Sequence, residues 1–74
     1  EFRLSRITVA PGHQFRSASE RNAQILVVIE GSCSLRSGTG DGLELSQGDS
    51  VFVPASSPPY EITGPSALFR ATVP

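Results

Sequence analysis

Methionine and lysine are absent from the chain, and cysteine and histidine occur once each, as Cys33 and His13. With no methionine, the chain is expected to be a segment of a longer protein rather than one that begins at a natural translation start. A single cysteine excludes an internal disulfide framework. Positive charge is limited to six arginines with no basic run, against seven acids for a net charge of −1. Neutralising a nucleic-acid backbone therefore has little to work with. No apolar run approaches the ~20 residues that span a bilayer, and no basic-then-apolar leader opens the chain. These absences argue against nucleic-acid and membrane partners.

What is present is a modest apolar fraction, 38% of 74 residues, enough for a core and too much for a disordered chain. A chain of this length forms one domain at most and buries only about 60–65% of its extended surface, so a neighbouring domain would help it fold. Turn signals recur at short intervals: Pro11-Gly12, Glu30-Gly31, the run Gly38 to Gly42, Gly48-Asp49, Ser56 to Pro59 and Gly64-Pro65. Between them, strands are predicted at Phe2–Val9, Gln24–Ile29, Ser32–Arg36, Leu43–Leu45, Ser50–Val53, Tyr60–Thr63 and Ala67–Val73. Cys33/Leu35, Leu43/Leu45, Tyr60/Ile62 and Phe69/Ala71/Val73 alternate with period two, as half-buried strands do. The one helix signal, Ser17-Ala-Ser-Glu20, has the form of a capping box but leads into polar residues, which reads as a loop or single turn. The expected fold is all-β: a small barrel or jelly roll of about seven short antiparallel strands filling residues 1–74.

Side chains able to carry chemistry are few. His13 follows Pro-Gly in a turn and reads as an exposed loop residue. Cys33 shares a face with Leu35 and is expected inside, as a small apolar group with no base to activate it. The glycine-rich run Gly38 to Gly42 lacks the Lys-Ser/Thr of a phosphate loop and reads as a hairpin connection. Asp49 suits a turn, its carboxylate bonding nearby backbone N–H groups. Asp41, Glu44 and Asp49 form a candidate cation patch, against which stands the reading of solvated loop charges. Arg16, Glu20 and Arg21 are candidates for the rim of a polar-ligand pocket, against which stands a solvated loop. Arg70 alternates with Leu68 and Thr72 on the face opposite Phe69, and its direction stays open.

One spacing stands out. Gly12, Ala18, Glu20, Gln24 and Gly31 form a first frame, and Gly48, Pro54, Ser56, Pro59 and Thr63 a second. Together they resemble the two motifs of the cupin family. The positions that shape turns, Gly12, Gly31, Gly48 and Pro54, match that pattern, whereas the four metal-ligand positions hold Ala18, Glu20, Gln24 and Pro59. A divalent transition metal needs three or four converging His, Cys or carboxylate donors, and one carboxylate does not supply them. The resemblance implies a metal-free cupin barrel, with no catalytic, cofactor-binding or metal residue in this chain.

A narrower likeness rests on Ile25 to Gly31, Leu45 to Ala55, Tyr60 to Gly64, and Leu68 to Pro74. These runs look like the C-terminal domain of type I mannose-6-phosphate isomerase. The likeness implies a cytoplasmic, zinc-dependent parent that interconverts mannose 6-phosphate and fructose 6-phosphate. It also implies that zinc and the catalytic groups lie in a preceding N-terminal cupin domain, the expected partner of this chain. Self-association of the isolated segment is the alternative partnership. Two rival functions are a degenerate cupin that senses a small molecule in a transcription regulator, and a free-standing metal-free binding module.

Overall fold

Short β-branched and aliphatic runs broken by glycine and proline form strands here for the reason they usually do: extended backbone lets branched side chains pack on a pleated surface. The computed structural model describes residues 3–17, 22–38, 42–56 and 58–72. Among them are seven strands and no helix: β1 (Arg3–Val9), β2 (Gln14–Arg16), β3 (Gln24–Ser37), β4 (Leu43–Ser46), β5 (Ser50–Val53), β6 (Tyr60–Thr63) and β7 (Ser66–Thr72). Every pairing is antiparallel. The first half of β3 lies between β7 and β5, with β1 beyond β7. Its second half lies between β6 and β4, with β2 beyond β6. The sheet therefore curls into two leaves joined through one strand.

That strand corrects the sequence reading. Gln24–Ile29 and Ser32–Arg36 are one continuous 14-residue element, and Glu30-Gly31 is a bend inside it rather than a reversal. The register slips between Val28 and Glu30, and Gly31 has a φ of 77°. Here the chain also passes against the Pro65-Ser66 backbone, where a Cβ on Gly31 would overlap the Pro65 carbonyl oxygen. Only glycine meets both demands. Strand β2 was not foreseen, because three residues are too few to show a period. The ends of β7 are Ser66 and Thr72, and Val73 lies outside the described residues.

The core sits between the leaves. Leu26, Ile62 and Leu68 are completely buried, and Ile7, Val9, Val28, Cys33, Leu35, Leu45 and Tyr60 join them, with Phe15, Val51 and Val53 packed alongside. Each fully buried aliphatic or aromatic side chain contributes about 1.5–3 kcal/mol of transfer free energy. On β7 the inward set is Leu68, Arg70 and Thr72, and Phe69 and Ala71 look outward. The apolar residue thus lies outside and the arginine inside, the reverse of what hydropathy suggests for a two-sided strand.

Candidate functional site

Gln24 opens β3 on its inner face, and in the cupin frame this is a ligand position. Its side chain is 4% exposed, and its Oε1 accepts a hydrogen bond of 2.6 Å from the Tyr60 hydroxyl. Tyr60 is fixed from the backbone as well: its N–H donates to Ser17 Oγ at 2.8 Å, and Ser17 N–H donates to the Tyr60 carbonyl at 2.9 Å. Ser17 therefore ties the end of β2 to the start of β6, while the rest of the predicted loop or single turn, Ala18 to Glu20, lies outside the described residues. The Phe15 ring lies 6.3 Å from Tyr60 at 41°, a tilted contact, and the Arg70 guanidinium stands 5.8 Å over Phe15. Arg70 Nε donates to Ser5 Oγ at 3.3 Å. A series of contacts thus runs across this end of the interior from Gln24 through Tyr60 and Phe15 to Arg70.

The other frame positions of the second motif that are described, Ser56, Pro59 and Thr63, do not converge there. Pro59 is exposed on the outside of the second leaf, where it lines a cavity of about 300 Å³ with Arg16, Arg36, Gly38 and Glu61. Ser56 is exposed, and Thr63 faces outward between Gln14 and Ser34. Ala18 and Glu20 lie outside the described residues, as does Arg21. The Gln24 oxygen is committed to Tyr60, and among the described residues no group of three His, Cys, Asp or Glu could hold a metal ion. The donors among the described residues do not fit a divalent cation.

Of the turn positions, Gly12 and Gly48 have positive φ, as Gly31 does, and Pro54 follows β5 directly. Asp49 closes the turn before β5, its Oδ2 accepting from Ser46 N–H at 2.9 Å and Ser46 Oγ at 3.3 Å. Glu44 accepts from Ser34 Oγ, and Asp41 lies outside the described residues. Arg16 pairs with Glu61 on the outer face of the second leaf, and so does not rim the interior. His13 is exposed in its turn, where its N–H donates to the Ala10 carbonyl. Cys33 is buried, and desolvation pushes its thiol above the ordinary value of 9.0; Ser66 opposes this by hydrogen bonding, and Glu44 adds to it through its charge. Such a thiol is a poor nucleophile.

The outer faces of the two leaves differ in kind. On the second leaf, Gln14, Thr63, Ser34 and Glu44 form one row across four strands, and Arg16, Glu61 and Arg36 the next. That is the polar outside of a sheet facing water. On the first leaf, Leu4, Ala71, Ile25 and Phe52 form a row across all four strands, beside Arg6, Phe69, Val27 and Ser50. Leu4 and Phe52 are each 60% exposed, Ile25 45% and Phe69 38%. Sequence reading grouped Phe69 with Ala71 by alternation and left the direction of Arg70 open, so it did not say which residues form this face. Its signal was the unbroken run Ile25 to Ile29, in which no polar residue marks an outer side.

The chain matches the family model described as "Mannose-6-phosphate isomerase, cupin domain" over residues 1–73. No curated protein sequence matches it. Among solved structures it resembles phosphomannose isomerase from Salmonella typhimurium, with 28% identity and a TM-score of 0.84, over 96% of this chain and 17% of that one. It also resembles an RmlC-like cupin with a double-stranded β-helix fold from Methanocaldococcus jannaschii, at 19% identity and a TM-score of 0.85, over 99% of this chain and 70% of that one. A double-stranded β-helix protein from Klebsiella pneumoniae aligns at 15% identity with a TM-score of 0.83. These last two support the fold alone. The chain spans about a sixth of the isomerase it resembles, and with the match over nearly all its residues it belongs to the cupin-domain family of mannose-6-phosphate isomerase.

Proposed function

We propose that this chain is the non-catalytic C-terminal cupin domain of a cytoplasmic mannose-6-phosphate isomerase, and that it docks on the catalytic part through the outer face of its first leaf. The observation that carries this reading is the contrast between the two outer faces. One is polar throughout, whereas the other lays an apolar row across four strands. Leu4, Ile25, Phe52 and Phe69 together expose on the order of 400 Å² of apolar surface. That is half of the ~800 Å² per side of a standard stable complex and suits one side of an interface within a chain, which buries ~600–1,500 Å² in total. The zinc and the groups that move the proton between the two sugar carbons belong, in this reading, to residues outside this chain. This domain contributes a rigid wall behind them.

The test is a pair of variants in the full-length protein. Leu4→Ser and Phe52→Ser remove apolar area from the docking row without touching the core. Burying a phenylalanine is worth about 1.5–3 kcal/mol, so the double variant should unfold several degrees lower and lose isomerase activity on mild heating before the parent does. Gln14→Ser, on the polar leaf, should change neither. Equal thermal inactivation of the double variant and the parent would sink the docking assignment, and stoichiometric zinc retained by a chain limited to residues 1–74 would sink the non-catalytic one.

A further inference from the structure

The inner face of the first leaf carries two arginines at one end. Arg3 shares a side of β1 with Ser5, Ile7 and Val9, and β1 pairs with β7 so that Arg3 lies opposite Thr72 and Ser5 opposite Arg70. Arg3 and Arg70 are therefore diagonal neighbours on one face, at the roughly 7–8 Å of such pairs, where two like charges repel. Arg70 is part-buried, and its terminal N–H groups have no hydrogen-bond partner among the described residues; the one bond it makes uses Nε and the Ser5 hydroxyl. Phe15 holds the guanidinium plane from the opposite leaf. None of the four described acids faces these two arginines. Glu61 and Glu44 lie on the outside of the second leaf, Asp49 is bound to Ser46, and Glu30 is exposed at the bend.

Two guanidiniums and two flanking hydroxyls, with no carboxylate facing them among the described residues, make a seat that is electrostatically incomplete. We propose that the Arg3–Ser5–Arg70–Thr72 face binds a small oxyanion, a phosphate monoester or inorganic phosphate. A planar guanidinium with its terminal N–H groups free presents paired donors that match two phosphate oxygens, and neighbouring hydroxyls extend the same set. The seat is independent of the docking face, because inner and outer residues alternate along β1 and β7.

Equilibrium dialysis of the full-length protein against radiolabelled inorganic phosphate tests it, with the bound stoichiometry compared between the parent and three variants. Arg70→Met keeps an unbranched side chain at this position and removes the donors; Arg3→Gln, at the exposed rim, makes the same test without disturbing a part-buried side chain. Each should weaken one class of sites by about ten- to a hundredfold, the effect of losing charged hydrogen bonds, and so remove most of the phosphate bound to that class at a concentration near the parent's dissociation constant. Arg16→Gln, on the outer leaf, should leave the stoichiometry unchanged. Identical phosphate binding by the parent, Arg70→Met and Arg3→Gln overturns the proposal, a carboxylate from elsewhere in the protein then being the group that meets these arginines.

Discussion

Replacing Gly31 by alanine separates two costs that usually arrive together. The residue has a φ of 77°, and Gly12, in the turn before β2, has a φ of 79°. The left-handed conformation costs an L-residue roughly 1–2 kcal/mol, so this part of the penalty is nearly equal at the two sites. The surroundings differ completely. A Cβ at Gly12 meets nothing within 4 Å, whereas at Gly31 it would overlap the Pro65 carbonyl oxygen and sit 3.1 Å from Ser66 Cα. Those are backbone atoms of the strand paired with β3, so relief requires the Gly31–Ser66 and Glu30–Ala67 pairs to move apart. Losing one or two ladder hydrogen bonds adds about 0.5–1.5 kcal/mol each. Gly12→Ala should therefore cost about 1–2 kcal/mol, and Gly31→Ala about 3 kcal/mol or more. Urea unfolding followed by far-ultraviolet circular dichroism reads both, with linear extrapolation giving the difference. If the two variants fall within about 0.5 kcal/mol of each other, close packing at the bend is not what holds glycine there.

Tyr60→Phe leaves the buried Gln24 oxygen without its 2.6 Å donor and should cost about 1–3 kcal/mol; adding Gln24→Leu should recover part of that, and a double-mutant cycle with no coupling refutes the pairing. Cys33 should resist alkylation in the native protein and react on unfolding, as followed by mass spectrometry of the modified thiol. Because burial raises its folded pKa, the unfolded state ionises first: the stability it contributes is full below 9.0 and is lost as pH rises from there through the folded value. The stability difference between the parent and Cys33→Ala should shrink across that range, and a pH-independent difference contradicts the assignment. Glu61→Gln breaks an exposed ion pair with Arg16 and should shift stability by less than about 1 kcal/mol; a larger loss in urea unfolding would mean that the outer leaf is not solvated.

Most strands were legible because their pattern is local. Ser50–Val53 and Tyr60–Thr63 are bounded by turn residues that few other structures accommodate, and both lie where those turn signals place them. The bend in β3 was misread because Glu30-Gly31 has the composition of a reversal, and whether a glycine turns the chain or lets it pass a neighbour depends on Pro65, 34 positions away. The inward direction of Arg70 was illegible for a similar reason: Leu68 and Phe69 offer two equally apolar faces, and the choice rests on pairing with Ser5. Within the cupin frame, the place of Gln24 followed from spacing, but its partner did not. Tyr60 reaches it across 36 residues of separation.

The first half of β3 reads Gln-Ile-Leu-Val-Val-Ile and is apolar on both sides, so hydrophobicity alone barely specifies its alignment with its neighbours. A slip by one residue would exchange Leu26 and Val28 for Ile25 and Val27 in the core, a swap nearly neutral in volume and hydropathy. Two features forbid it. The Gln24 carboxamide must face the Tyr60 hydroxyl, and the one position without a Cβ must fall against Pro65. The polar contact at one end of the strand and the glycine at its middle act as the two pins of an alignment jig. One polar side chain at that place tells the strand where to start.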